Sequence, residues 1–93
     1  MIFALGGNDA VEGRGGNDLI CGGDGNNSLT GGDGNDRIEG GNGADSLSGG
    51  NGNDALFGGP DNDALNGGPG TNTNDGGTGT NACSNPSTGP GCV

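Results

Sequence analysis

Asp and Asn side chains recur every nine residues along almost the whole chain. The members of this series are Asp9, Asp18, Asn27, Asp36, Asp45, Asp54, Asp63, Asn72 and Asn81. Carboxylate and amide oxygens are hard ligands, and no His or thiolate stands among them, which favours a cation such as Ca²⁺ over zinc or copper. A single Asp in a Gly-rich turn would be ordinary turn chemistry. Nine such side chains at a constant spacing predict cation binding instead.

The composition limits the other functions open to the chain. Its 93 residues carry 12 acidic and two basic side chains, a formal net charge of −10, and no His. Such a polyanion disfavours nucleic acid and anionic membrane as partners. No nucleophile stands beside a His or Lys base, so we expect no enzymatic activity. No apolar run approaches the length of a transmembrane helix.

The nine-residue spacing holds at the other positions of the unit as well. From Ala4 the chain divides into nine units without insertion, from 4–12 to 76–84, and the clearest of them read GGDGNDRIE, GGNGADSLS and GGNGNDALF. In an extended segment alternate side chains face opposite ways, so position eight faces inward while positions seven and nine face outward. The inward series is Val11, Ile20, Leu29, Ile38, Leu47, Leu56, Leu65, Asn74 and Cys83, with Ile2 extending it backward.

The unit G-G-x-G-x-D-x-U-x, where U is a large aliphatic, resembles the repeats-in-toxin (RTX) calcium-binding nonapeptide family. The resemblance implies an all-β fold, a right-handed parallel β-roll with two sheets of short strands and 18 residues per turn. Positions one to six form a turn and positions seven to nine a strand. Gly at positions one, two and four permits the positive φ that so tight a turn needs. We expect one domain: 1–3 end a preceding strand, 4–84 hold the repeats, and 85–93 form a C-terminal loop.

The resemblance also implies several Ca²⁺ ions between stacked turns. Side-chain ligands would be the position-six residues Asp9, Asp18, Asn27, Asp36, Asp45, Asp54 and Asp63. Backbone carbonyls at positions two and four would add Gly16, Gly23, Gly25, Gly32, Gly34, Gly41, Gly43, Gly50, Gly52, Gly59 and Asp61. Residues 18 apart would stack at a strand spacing of roughly 4.8 Å, so one ion can reach both.

The position-six pairs that are 18 residues apart differ in charge. Slots with two carboxylates are Asp18/Asp36, Asp36/Asp54 and Asp45/Asp63, and we expect these to bind most tightly. Slots that pair Asp with Asn should bind more weakly, because an amide oxygen brings no charge. They are Asp9/Asn27, Asn27/Asp45, Asp54/Asn72 and Asp63/Asn81.

The two ends of the array differ. Cys83 and Cys92 flank a Pro- and Gly-containing loop and could close it as a disulfide, with two reduced thiols as the alternative. Cys21 would then be free or intermolecular. The N-terminal end carries no polar cap, which leaves it open to a neighbouring domain or to head-to-tail self-association.

The function that the resemblance implies is a calcium-binding structural module of a secreted, extracellular bacterial protein. A thin core and stacked carboxylates predict a chain that is disordered without metal. The alternatives are a self-assembling extracellular fibre subunit and an ice-binding module; regular outward Thr columns, which would favour ice binding, are missing.

Overall fold

The computed structural model of the chain describes residues 2–4 and 6–92. Ten strands occupy positions seven to nine of successive units, as predicted, and the first has two residues while the others have three. They are β1 Ile2–Phe3, β2 Ala10–Glu12, β3 Leu19–Cys21, β4 Ser28–Thr30, β5 Arg37–Glu39, β6 Ser46–Ser48, β7 Ala55–Phe57, β8 Ala64–Asn66, β9 Thr73–Asp75 and β10 Ala82–Ser84. The predicted segments 1–3, 4–84 and 85–93 include Met1, Leu5 and Val93, which lie outside the described residues.

The strands form two parallel sheets that the chain visits alternately. One sheet has the order β1-β3-β5-β7-β9 and the other β10-β8-β6-β4-β2. Paired strand residues are 18 positions apart, as in Ile20 with Ile38 and Leu29 with Leu47. Every described element is a strand or an irregular segment, and none is an apolar helix of membrane-spanning length. The prediction of an all-β solenoid with 18-residue coils is confirmed.

The core is a double column of position-eight side chains. Six aliphatics from Ile20 to Leu65 are at most 2% exposed, and Ile2, Val11 and Cys83 pack against them partly buried. Asn74 also takes a core position, at 1% exposure. The inward face is thus one aliphatic side chain wide on each sheet.

The glycines of the turn have two different roles. Positive φ occurs at positions two and four, for example Gly32 at 89° and Gly34 at 103°, and the non-glycine residues Arg14 and Asp61 adopt it at those positions too, at 73° and 79°. Position one was also expected to use positive φ, and this expectation was wrong. A Cβ on Gly49 would lie 2.5 Å from Oδ2 of Asp54. Position one needs Gly for space.

Residues 85–92 fold back over the last coil. The N–H of Gly76 donates to the carbonyl of Pro90 at 2.7 Å, and the buried amide of Asn74 donates to the carbonyls of Ser84 and Pro86 at 3.0 and 2.8 Å. Cys83 and Cys92 form a disulfide, and Cys21 is a free, partly buried thiol. Head-to-tail stacking of two chains would have to use this C-terminal end of the array, which residues 85–92 cover.

Candidate metal centre

The position-six residues stack in two columns and bond to the backbone of the neighbouring coil. Oδ1 of Asp36, Asp45, Asp54 and Asp63 accepts the backbone N–H of the residue 18 positions earlier. Oδ1 of Asp36 does so from Asp18 at 2.8 Å, and Oδ1 of Asp63 from Asp45 at 2.7 Å. One oxygen of each of these carboxylates therefore has a hydrogen-bond partner and holds two coils in register.

The second oxygen of every position-six Asp is buried and has no hydrogen-bond partner. The six atoms are Oδ2 of Asp9, Asp18, Asp36, Asp45, Asp54 and Asp63. A buried carboxylate oxygen without a donor is costly, because water has been removed and nothing replaces its hydrogen bonds. The ion pair among the described residues joins Arg37 to Glu39 on the outer surface. A cation bound from solvent would balance this charge.

Asn27 shows what surrounds the second side-chain atom at position six. Its Nδ2 lies 2.9 Å from the Cβ that Gly22 would carry, and Oδ2 of Asp45 lies 2.7 Å from the corresponding point on Gly40. The two atoms occupy equivalent places. Nδ2 of Asn27 is 3.4 Å from the carbonyl of Gly23 and 3.3 Å from that of Gly25. The structure thus brings the carbonyls at positions two and four together with the position-six side chain.

Position one supplies a further carbonyl that sequence reasoning missed. Nδ2 of Asn72 donates to the carbonyl of Asn85, which stands 18 residues after Gly67 at position one. A Cβ on Gly13 would lie 2.8 Å from Oδ2 of Asp18 and 2.9 Å from the carbonyl of Gly31. The sequence carried one signal for this, the Gly at position one in eight of the nine units. The structure adds that none of these Gly residues has a positive φ.

Each Asp turn therefore places a carboxylate oxygen among backbone carbonyls, an arrangement made only of acceptors. The family model of the RTX calcium-binding nonapeptide repeat matches residues 1–29, 21–56, 30–65, 40–73 and 48–82, which together reach from residue 1 to residue 82. The chain belongs to the RTX calcium-binding nonapeptide repeat family. No curated protein and no solved structure matches the chain.

The oxygen donors of this RTX array suit Ca²⁺. Calcium takes six to eight oxygen ligands at about 2.3–2.6 Å and accepts backbone carbonyls in irregular geometry. In residues 2–4 and 6–92, no three carboxylate or thiol side chains converge on one point as metal ligands. An ion here would be held by position-six carboxylates and mainly by carbonyls at positions one, two and four.

Three other acidic side chains of the turns lie on the outside of the array. Asp24 and Asp33 accept hydrogen bonds from the amides of Asn42 and Asn51 at 3.1 and 3.0 Å. Oδ2 of Asp61 accepts the backbone N–H of Gly43 at 2.9 Å. These carboxylates are exposed and have hydrogen-bond donors, so they lack the buried, unpartnered oxygen that marks the position-six Asp residues.

Burial changes the acidity of the position-six carboxyls. It raises the pKa of Asp36, Asp45 and Asp54 above the ordinary value for Asp, since the charged form loses water. For Asp63, burial first and then the charges of Asp45 and Asp61 raise the pKa to about 6. Without a bound cation, burial therefore makes these groups harder to ionise in the folded array than in water.

Proposed function

We propose that the chain is a non-enzymatic structural module of a secreted bacterial protein, and that its solenoid forms as Ca²⁺ binds. The observation that carries the proposal is the set of six buried Asp Oδ2 atoms that have no donor. Membership of the RTX family supports calcium as the ion.

Folding and calcium binding are coupled because the same atoms serve both. The position-six carboxylates Asp36, Asp45, Asp54 and Asp63 are 3–4% exposed, so the folded state removes their charges from water. Among the described residues, the core that favours folding has six fully buried aliphatics. A cation between the turns removes the charge penalty, and its binding free energy then stabilises the fold.

A location outside the cell is supported by two features. The disulfide between Cys83 and Cys92 fits an oxidising compartment. Extracellular calcium modules work with dissociation constants of about 10⁻⁴–10⁻³ M, which suits sites made largely of uncharged carbonyls. The chain has no His and no Lys to serve as a catalytic base, which supports a structural role.

The test is a calcium titration of the metal-free chain followed by far-ultraviolet circular dichroism. We expect a disordered spectrum in excess chelator and a cooperative gain of β signal as Ca²⁺ reaches millimolar levels. Mg²⁺ is the matched control, and it should act poorly because it demands octahedral geometry and sheds water reluctantly. Full β signal in excess chelator would refute the proposal.

A further inference from the structure

Three units of the array carry Asn at position six, and their amides are bonded where the Asp units have an unpartnered oxygen. We propose that Asn27, Asn72 and Asn81 replace the cation with an amide N–H donor, so that their turns close without calcium. Calcium then binds only in turns whose position six is Asp. This inference rests on the proposed function in taking Ca²⁺ as the ligand of the Asp turns.

The first step is that both ends of the Asn27 amide are in use. Its Oδ1 accepts the backbone N–H of Asp9 at 3.0 Å. Because only the oxygen of an amide can accept that hydrogen, the orientation of the group is set and the NH₂ must point into the turn. There it donates to the carbonyls of Gly23 and Gly25. Asn27 is 3% exposed, and its side chain leaves no buried polar atom unpartnered.

The second step is the comparison with an Asp turn. Asp45 is buried to the same degree, and its Oδ1 accepts the N–H of Asn27 at 2.8 Å, but its Oδ2 has no partner. The two position-six side chains therefore differ in one terminal atom. In the Asp turn the carbonyls face an anionic oxygen and need a cation, whereas in the Asn turn they already have a donor whose hydrogens repel a cation.

The third step is that the same bonding recurs at the C-terminal end. Nδ2 of Asn72 donates to the carbonyls of Gly68 and Asn85 at 2.8 and 3.3 Å. Nδ2 of Asn81 donates to the carbonyl of Gly91 at 3.1 Å. Asn85 and Gly91 belong to the segment that covers the last coil. The turns of Asn72 and Asn81 thus attach the covering segment by hydrogen bonds. With all three Asn turns closed in this way, the calcium capacity is at most the six Asp turns.

This differs from the ligand role that the sequence predicted for Asn27, in which its amide oxygen would bind the ion weakly. Under that reading Asn27→Asp tightens two existing sites. Under the present proposal it creates a site that did not exist. The number of bound ions separates the two.

The experiment counts calcium ions on the full chain by native mass spectrometry and isothermal titration. Asn27→Asp should bind one more ion than the wild type, and Asp45→Asn one fewer. Asp45→Ala is the control, since it also loses the ion but leaves the carbonyls without a donor. It leaves the N–H of Asn27 without its acceptor as well, so the exchange is read within the turn, at Gly41 and Gly43. In saturating calcium, hydrogen exchange around Gly41 and Gly43 should be about fivefold slower or more in Asp45→Asn than in Asp45→Ala, the effect of about 1 kcal/mol for a lost donor.

The outcomes separate this inference from the proposed function. A wild type that binds no calcium would refute the proposed function. The inference would still be tested, because metal-free Asp45→Asn should then show slower exchange around Gly43 than the metal-free wild type. An unchanged ion count in Asn27→Asp, or equal exchange in Asp45→Asn and Asp45→Ala, would overturn the inference.

Discussion

Oδ1 of Asp54 accepts the backbone N–H of Asp36 at 2.8 Å, one coil away, while Oδ2 of the same carboxylate is buried without a partner. Each central Asp therefore joins two coils through one oxygen and presents the other to a cation. The place of an Asp in its column of stacked position-six residues decides whether it makes the hydrogen bond to the previous coil as well as presenting an oxygen to the cation.

Replacing a central Asp should cost more than replacing a terminal one. Both Asp36 and Asp9 present a buried Oδ2 without a partner. Asp36 also accepts the N–H of Asp18 through its Oδ1, whereas Asp9 stands in the first unit, where no residue lies 18 positions earlier. We expect Asp36→Ala to lower the stability of the calcium-bound form by on the order of 2 kcal/mol. Asp9→Ala should lower it by less than half of that. Urea unfolding in saturating calcium measures both.

Asp33→Ala is the matched control for those two variants. Asp33 belongs to the same unit as Asp36, but its carboxylate is exposed and bonds the side chain of Asn51. Its loss should change stability by less than about 0.5 kcal/mol. Equal losses in all three variants would show that position six has no special role.

Acid should replace calcium in part. The pKa of Asp63 is about 6 in the folded, metal-free array, and burial raises the pKa of Asp36, Asp45 and Asp54 as well. A carboxyl whose pKa is higher when folded stabilises the fold below its unfolded value, near 4, and this stabilisation is lost as pH rises through the folded pKa. In excess chelator, circular dichroism should therefore show more β structure at about pH 4 than at pH 7.

With calcium present the direction reverses, because protons compete for the ligands. Calcium affinity should fall as pH drops below about 6, the pKa of Asp63. Asp63→Asn should reduce both effects, and Asp24→Asn, which changes an exposed carboxylate, should change neither. A metal-free chain that loses order on acidification would contradict this account.

The sequence predicted the strands, the register and the inward residues because all of them follow from one period. An uninterrupted repeat of nine places position eight of every unit on the same inner face, so Ile20 and Ile38 had to pair. The candidate site could be predicted only in part from the nine-residue period. Position-six residues could be named from their type, but the sequence did not reveal which of their two terminal atoms meets which group.

Two features escaped because they depend on how one coil packs on the next. The carbonyl of Gly31, a position-one residue, comes close to the turn of Asp18 only when the two coils stack. The position-five residues form a ladder that was likewise not expected, as when Oδ1 of Asn35 accepts the backbone N–H of Asn53 at 2.8 Å. An exposed Asn in a Gly-rich turn carries no sign of such a bond until its neighbour 18 residues away is placed.

Position one should tolerate no side chain, although its φ is ordinary. A Cβ on Gly49 would lie 2.5 Å from Oδ2 of Asp54 and 2.7 Å from the carbonyl of Gly67. Gly49→Ala should therefore weaken calcium binding at this turn and cost about 1–3 kcal/mol of overpacking. Gly15→Ala is the control, because a Cβ there would meet nothing within 4 Å and Gly15 has no positive φ. Titration calorimetry that finds the two variants alike would remove position one from the site.

The position-five ladder has a gap that can be repaired. Oδ1 of Asn26 accepts the backbone N–H of Ala44 at 2.9 Å, but Ala44 has no side-chain oxygen to offer the N–H of Asn62 in the next coil. Ala44→Asn should supply that bond and stabilise the calcium-bound form by about 0.5–1 kcal/mol, the lower part of the usual range because the site is exposed. Asn35→Ala, which removes the bond to Asn53, should destabilise it by a similar amount. Urea unfolding compares the two, and changes of the same sign would show that the ladder does not contribute to stability.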